Sequence, residues 1–350
     1  MESALRRAAD LLGRARLPVF GGLLTDIAGA AAALALAEKL GGVIDHAYGE
    51  SLSRMAQIMR ERGASSASFG EVRNRADVVI VAGTGPLERD PGLIDKLFPE
   101  GEGLPRPGDN KRALIVLGGA PFRAPRHIQM TVIEHDLPAL MARLGAAVGG
   151  RPTGDDALGR DLARVAARLR AAAFAVFVYS AEDLDEPALF TILDTVRDLS
   201  ATTRAATLAL ATPGNGDGVN LCSTWTCGLP VRTSFAGPVP EHDTRRFDAR
   251  RLIESGEADA LVWIDALEGE GAVPPKGVPT IVLSSKPARA AKHDVVIDVA
   301  CAGRDHDAAL YLQPISGIGM VKAVKPDDAR LRVAAVLSRL AEMIPQREAA

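Results

Sequence analysis

The feature that most constrains this chain is a series of short, continuously apolar runs, each followed by a helical pattern. Runs at 18–20 (PVF), 43–45 (VID), 77–82 (DVVIVA), 113–117 (ALIVL), 174–179 (FAVFVY), 207–211 (TLALA), 260–264 (ALVWI), 280–283 (TIVL) and 294–299 (DVVIDV) have strand length. A strand with one wet face alternates polar and apolar residues. These runs do not, so both faces are buried and the sheet is parallel, with helices on either side. The helices between them carry their own signals. Leu5, Ala8, Leu11 and Leu12 share one face of an opening helix that Ser3 is expected to cap. An alanine-rich helix over 27–40 ends at Gly41-Gly42, and another over 51–62 ends at Gly63. Asp185 caps a helix with Pro187 in its first turn, and Asp327 is expected to start a closing helix.

At 350 residues the chain is long enough for two domains. The polar, glycine-containing stretch GGRPTGDD at 149–156 is the expected boundary, giving a first α/β domain over 1–150 and a second over 151–350. The region from about 300 to 350, with short strands around Gly317 and Gly319, is expected to pack back on the first. The fold class is therefore α/β, with two Rossmann-like, doubly wound parallel-sheet domains.

Charge narrows the partners. Lys and Arg number 41 against 44 Asp and Glu, a net charge of -3, with no basic block of the kind that nucleic acid or an acidic membrane surface requires. No apolar run has the length of a membrane span, and three cysteines are too few for a disulfide framework, so a cytoplasmic location is expected.

Several segments have the residue types of a site. In GGVIDHAYGES, residues 41–51, a strand runs into Asp45, His46, Tyr48, Glu50 and Ser51, where open α/β sheets gather ligands. His46 has no local partner that would make it a base. The loop 212–220 (TPGNGDGVN) is either a backbone cradle for a phosphate or a long turn needing positive φ, and Gly83-Thr84-Gly85-Pro86 has the same two readings. Its spacing fits neither of the common phosphate-loop patterns. Cys222 and Cys227 read as small buried side chains, since a metal site needs closer pairs and more ligands. The six histidines form no HxH or HxxxH pair, and Asp305-His306-Asp307 reads as a solvated turn. Trp263 belongs to the core, and Trp225 either to the core or to a pocket or interface. By motif alone no reaction can be assigned.

Three longer segments carry a resemblance: ARLPVFGGLLTDIAGAAAALALAEKLGGVIDHAYGESL, GEVRNRADVVIVAGTGP, and NLCSTWTCGLPVRTSFAGPVPEHDTRRFDARRLIESGEADALVWI. They are similar to the B subunit of formylmethanofuran dehydrogenase, of the molybdopterin oxidoreductase superfamily. That resemblance implies a molybdopterin-oxidoreductase-like core, a [4Fe–4S] cluster on an N-terminal cysteine group, and a molybdenum or tungsten ligand from the cysteine of a CHGPS-like turn. Here no cysteine precedes Cys222, and the matching turn is Ala47-Tyr48-Gly49-Glu50-Ser51, with Ala47 at the ligand position. Alanine has no donor atom.

This pattern of loss resembles the B subunit of the formyltransferase/hydrolase complex of methylotrophic bacteria. The resemblance implies a structural subunit of a complex that converts formyl-tetrahydromethanopterin to formate through a formyl-methanofuran analogue. The chemistry then lies on a metal-dependent hydrolase (A) and a formyltransferase (D), and a C subunit completes the assembly. No cofactor, no metal and no catalytic residue is expected on this chain. Gly83, Thr84, Gly85, Asn215 and Gly216 are the candidates for a vestigial pterin groove. Two alternatives stand beside this reading: an active molybdenum or tungsten pterin dehydrogenase subunit, and a nucleotide-binding α/β enzyme domain.

Overall fold

The computed structural model describes residues 1–99, 112–119, 126–269, 271–287 and 292–345. Two compact units part within one helix, between Ser53 and Arg54, and again at Leu210/Ala211. The first comprises the described residues of Met1–Ser53, Ala211–Leu312 and Gly317–Ala350, and the second comprises the described residues of Arg54–Leu210 with Gln313–Ser316.

The first unit is built on seven strands: β1 (Pro18–Leu24), β2 (Val43–Ile44), β8 (Thr233–Ser234), β9 (Glu241–His242), β10 (Ala260–Asp265), β11 (Thr280–Ser284) and β12 (Val295–Asp298). Their order is β12-β11-β10-β1-β2-β8-β9, parallel from β12 to β2 and antiparallel beyond. Its direction of growth reverses between β1 and β10, because β2 is added on one side and β11 and β12 on the other. One face packs on α1 (Glu2–Arg14), α2 (Ile27–Leu40), α10 (Gly216–Cys227) and the C-terminal α12 (Val333–Met343), through Leu12, Leu36, Val219 and Leu337. The other face meets the short α11 (Ala249–Glu254) and Trp263. A hairpin of β13 (Ala308–Leu312) and β14 (Gly317–Val321) completes the unit.

The second unit holds a five-stranded, wholly parallel sheet in the order β5-β4-β3-β6-β7, from β3 (Val78–Ala82), β4 (Ala113–Leu117), β5 (Gln129–Ile133), β6 (Phe174–Tyr179) and β7 (Arg204–Ala209). On one face lie α7 (Leu137–Val148), α8 (Ala157–Arg170), α9 (Glu186–Ser200) and Ile58 of α3 (Gly49–Arg62). On the other lie α4 (Phe69–Arg75) and α6 (Leu93–Leu97). Helices on both faces of a parallel sheet are what the unbroken apolar runs demanded. Asp26, Ser68, Asp136, Asp156, Asp185 and Asp248 each accept the backbone N–H three residues on, which fixes where their helices begin. The buried Arg112 donates to the carbonyls of Val72, Ala76 and Leu97, at the ends of α4 and α6, and stacks on Phe98. It thereby supplies a donor to carbonyls at the C-terminal ends of both helices.

Several expectations need correction. The stretch 149–156 is a loop inside the second unit, because α7 and α8 on either side of it pack into one cluster through Leu144, Ala147, Leu162 and Val165. A polar break marks a loop, whereas a boundary depends on which cores the flanking elements join. Ser3 lies inside α1, whose N-cap is Met1. The closing helix starts at Val333, since the Asp327 carboxylate turns back to the N–H of Ala329. β5 escapes a reading by apolar runs because, at the sheet edge, its sequence QMTVI is mostly half-exposed. Among the described residues no helix is long and apolar enough to cross a membrane.

Candidate functional site

In a parallel sheet, ligands gather beyond the carboxyl ends of the strands where the strand order reverses. In the first unit this point is β1/β10, and the turn after β2 lies beside it. The turn is held by a buried guanidinium. Arg232 stands just before β8 with φ of 64° and donates from Nε to Asp45 Oδ1 at 3.4 Å, from Nη2 to Asp248 Oδ2 at 2.5 Å and from Nη1 to Glu50 Oε2 at 3.1 Å. Nη1 also meets the Thr244 carbonyl. Asp45 accepts in addition the N–H groups of His46 at 2.8 Å and Ala249 at 2.9 Å. A methyl group at Gly49 would lie 2.0 Å from Asp45 Oδ1, so only glycine lets the turn close on this carboxylate.

Both ring nitrogens of His46 are engaged. Nδ1 accepts the Tyr48 N–H at 3.1 Å, which leaves the proton on Nε2, donated to the Gly214 carbonyl at 3.2 Å. Burial lowers its pKa to about 4, so the ring is neutral, and its two partners are backbone groups. Burial raises Asp45 to about 6 against the opposing pull of Arg232. These contacts hold the turn closed.

Ala47 lines a pocket of about 380 Å³ together with Asp45, Glu50, Arg232, Arg250 and Trp263. Its N–H donates to the Gly22 carbonyl at 2.9 Å, and its side chain is a methyl group. Among the described residues no group of three or more His, Cys, Asp or Glu could hold a metal ion. The Ala47 side chain has no atom that could ligate the molybdenum or tungsten that the dehydrogenase resemblance implies.

The vestigial-groove candidates divide between the units. Asn215, with φ of 61°, precedes α10, and its side chain is consumed in the fold. Nδ2 donates to the Thr25 carbonyl at 2.9 Å, and Oδ1 accepts the Tyr311 N–H at 2.8 Å. Gly216 opens α10, where a methyl group would meet Thr212 at 2.6 Å and His46 at 3.2 Å. The first-turn carboxylate of Asp217 already accepts the Thr212 N–H at 2.6 Å. Beside this loop, Thr212, Gly214, Asn215, Leu310, Tyr311 and Val324 line a second pocket of about 430 Å³. Gly83, Thr84 and Gly85 follow β3 in the second unit, with the Gly83 N–H donating to Leu117 at 2.8 Å. Thr84 precedes α5 (Gly85–Arg89) and makes no side-chain cap.

The remaining sequence candidates find ordinary places. Cys222 is buried and Cys227 half-buried on α10, Trp263 is in the core with Nε1 donating to the Ala272 carbonyl at 3.0 Å, and Trp225 is exposed. Asp305 is not in a solvated turn. It is buried between Arg304 and Arg330, whose pull holds its carboxyl at about 2. Arg232 and Asp248 escaped the sequence reading, since nothing local distinguishes VRTS or FDAR from any surface stretch.

Two outcomes follow from this geometry. Arg232→Met leaves the buried Asp45 without its counter-ion and is expected to cost about 3–5 kcal/mol in urea unfolding; an unchanged midpoint contradicts the role given to Arg232. His46 has a folded-state pKa below its ordinary 6.5, so the unfolded chain takes the proton first and stability is lost as pH falls from about 6.5 to about 4. Asp45, raised from 3.8 to about 6, works in the opposite direction over nearly the same window. His46→Gln removes only the first contribution. Between pH 7 and pH 4 the variant should gain on the order of 2–3 kcal/mol relative to the unsubstituted protein, and parallel stability curves would contradict the assignment.

No protein-family model matches the chain. The B subunit of the formyltransferase/hydrolase complex from Methylorubrum extorquens is 32% identical over 329 residues, covering 93% of this chain and 89% of that protein. The B subunit of the tungsten-containing formylmethanofuran dehydrogenase 2 of Methanocaldococcus jannaschii is 24% identical over 384 residues, 99% of this chain and 83% of the relative. In the crystal structure of the formyltransferase/hydrolase complex from Methylorubrum extorquens with methylofuran, one chain matches at a TM-score of 0.87 and 32% identity, over 97% of this chain and 95% of that one. The chain belongs to the family of the B subunits of formyltransferase/hydrolase complexes.

Proposed function

We propose that this chain is the B subunit of a formyltransferase/hydrolase complex and that it serves there as a structural subunit with no reaction of its own. Its partners in this reading are the hydrolase (A), formyltransferase (D) and C subunits. The conversion of formyl-tetrahydromethanopterin to formate, through a formyl-methanofuran analogue, takes place on them. The reading puts the complex in the cytoplasm, away from membranes and nucleic acid, in line with three free cysteines.

One observation carries the proposal. The strand-end turn is closed by Arg232, Asp45 and Asp248, and its side chain at the ancestral ligand position is the methyl group of Ala47. A turn so arranged keeps its shape without a metal, and the fold is retained end to end against a chain of the solved complex. In this reading Ala47 stands at the lost ligand position.

Co-expression of the tagged chain with the three partner subunits tests the reading. The hydrolase and formyltransferase should remain with it through affinity and size-exclusion steps; a chain that elutes alone contradicts the proposal. Within that complex Ala47→Gly should leave formate release within about twofold, whereas a loss of about tenfold or more would place Ala47 in the chemistry.

A further inference from the structure

A smaller cavity of the first unit lies over β10 and β11, beyond the side chains that hold the turn after β2. In the register of these two strands Trp263 stands opposite Val282, and Asp265 opposite Ser284. Residues two apart on a strand share a face, so these four side chains make one floor, apolar in one half and polar in the other. Asp265 and Ser284 are 8% and 2% exposed. With the loop 271–274 and the half-buried His293 they line a cavity of about 130 Å³. Three glycines let this floor form. The Trp263 indole lies on Gly21 and Gly22 of β1, where a methyl group would stand 3.1 Å from Cζ3 and 2.9 Å from Cε2. A methyl group at Gly271 would lie 2.0 Å from Asp265 Oδ2, so the loop reaches the carboxylate only with glycine there. Ser284 Oγ accepts the Lys286 N–H at 2.9 Å, and a hydroxyl oxygen carries a second lone pair.

We propose that this cavity binds a small primary amine as its ammonium ion, held by the Asp265 carboxylate and Ser284 Oγ, with its carbon end against Trp263 and Val282. The side chains select the ligand. A carboxylate, a hydroxyl oxygen and an imidazole nitrogen are all acceptors, and they suit the three N–H groups of an alkylammonium. An indole in the wall attracts the same charge through its ring quadrupole. An anion would meet Asp265 and be repelled. Size sets the other limit. At about 30 Å³ for each water the cavity has room for about four waters, hence for an amine of a few heavy atoms and not for a nucleotide. Binding is non-covalent and asks no reaction of the chain, so the inference goes beyond the structural-subunit reading without depending on it.

Fluorine NMR of the full chain labelled with 5-fluorotryptophan tests it, because the chain has two tryptophans and the exposed Trp225 serves as an internal control. The probe is methylammonium, the smallest alkylammonium, at an ionic strength held constant with sodium chloride. So few heavy atoms limit the affinity to the millimolar range. The Trp263 resonance, assigned with Trp225→Phe, should shift saturably in that range while the Trp225 resonance stays in place. Asp265→Asn keeps the shape without the charge and should raise the half-saturation concentration about tenfold or more. Ser284→Ala should raise it about threefold or more, and decides the matter should Asp265→Asn not fold by circular dichroism. A Trp263 resonance unmoved through tens of millimolar methylammonium would overturn the proposal. So would an unchanged half-saturation in a folded Asp265→Asn or in Ser284→Ala, or the same shift produced by potassium ions. These results are read on the chain alone, so a failure here is distinguishable from a failure of assembly with the partner subunits.

Discussion

The buried guanidinium of Arg232 is the interaction on which the strand-end region of the first unit depends. It joins three stretches distant in sequence: the turn after β2 through Asp45 and Glu50, the approach to α11 through Thr244 and Asp248, and its own strand β8. Burying a charge costs several kcal/mol unless every donor finds an acceptor. Arg232 meets two carboxylates and a backbone carbonyl, with Glu50 at the exposed edge. Asp45 in turn accepts two backbone N–H groups as well. The arrangement over-determines the turn that carries Ala47.

How much of this was legible in the sequence depended on distance along the chain. Strands buried on both faces announce themselves by unbroken apolar runs such as ALIVL and FAVFVY, and a helix start by an aspartate such as Asp185, because both signals are local. The division into units was not legible, since whether α7 and α8 share a core is decided by contacts made after folding. The same holds at the site. Asp45, His46 and Gly49 stand together in one turn and were visible, but the Arg232 that gives them their meaning lies 187 residues from Asp45. The distant partner of His46 was hidden because it is the backbone of Gly214. A carbonyl leaves no mark in a sequence.

Glycines at strand ends were ambiguous for a related reason. A phosphate cradle and a cradle for the chain's own side chain demand the same absence of a Cβ atom. Gly49 against Asp45 and Gly85 against Asp183 are both of the second kind, and Asn215 spends its amide on Thr25 and Tyr311. The positions that looked most like remnants of a cofactor site are thus occupied by internal acceptors and donors.

The structural-subunit reading turns on whether the fold holds a redox metal at the turn that carries Ala47. Elemental analysis of the purified four-subunit complex, from cells supplied with both molybdate and tungstate, decides it. Molybdenum and tungsten should both be found far below one atom per copy of this chain, with formate release intact. One atom of either metal per copy, retained through gel filtration, would contradict the structural-subunit reading.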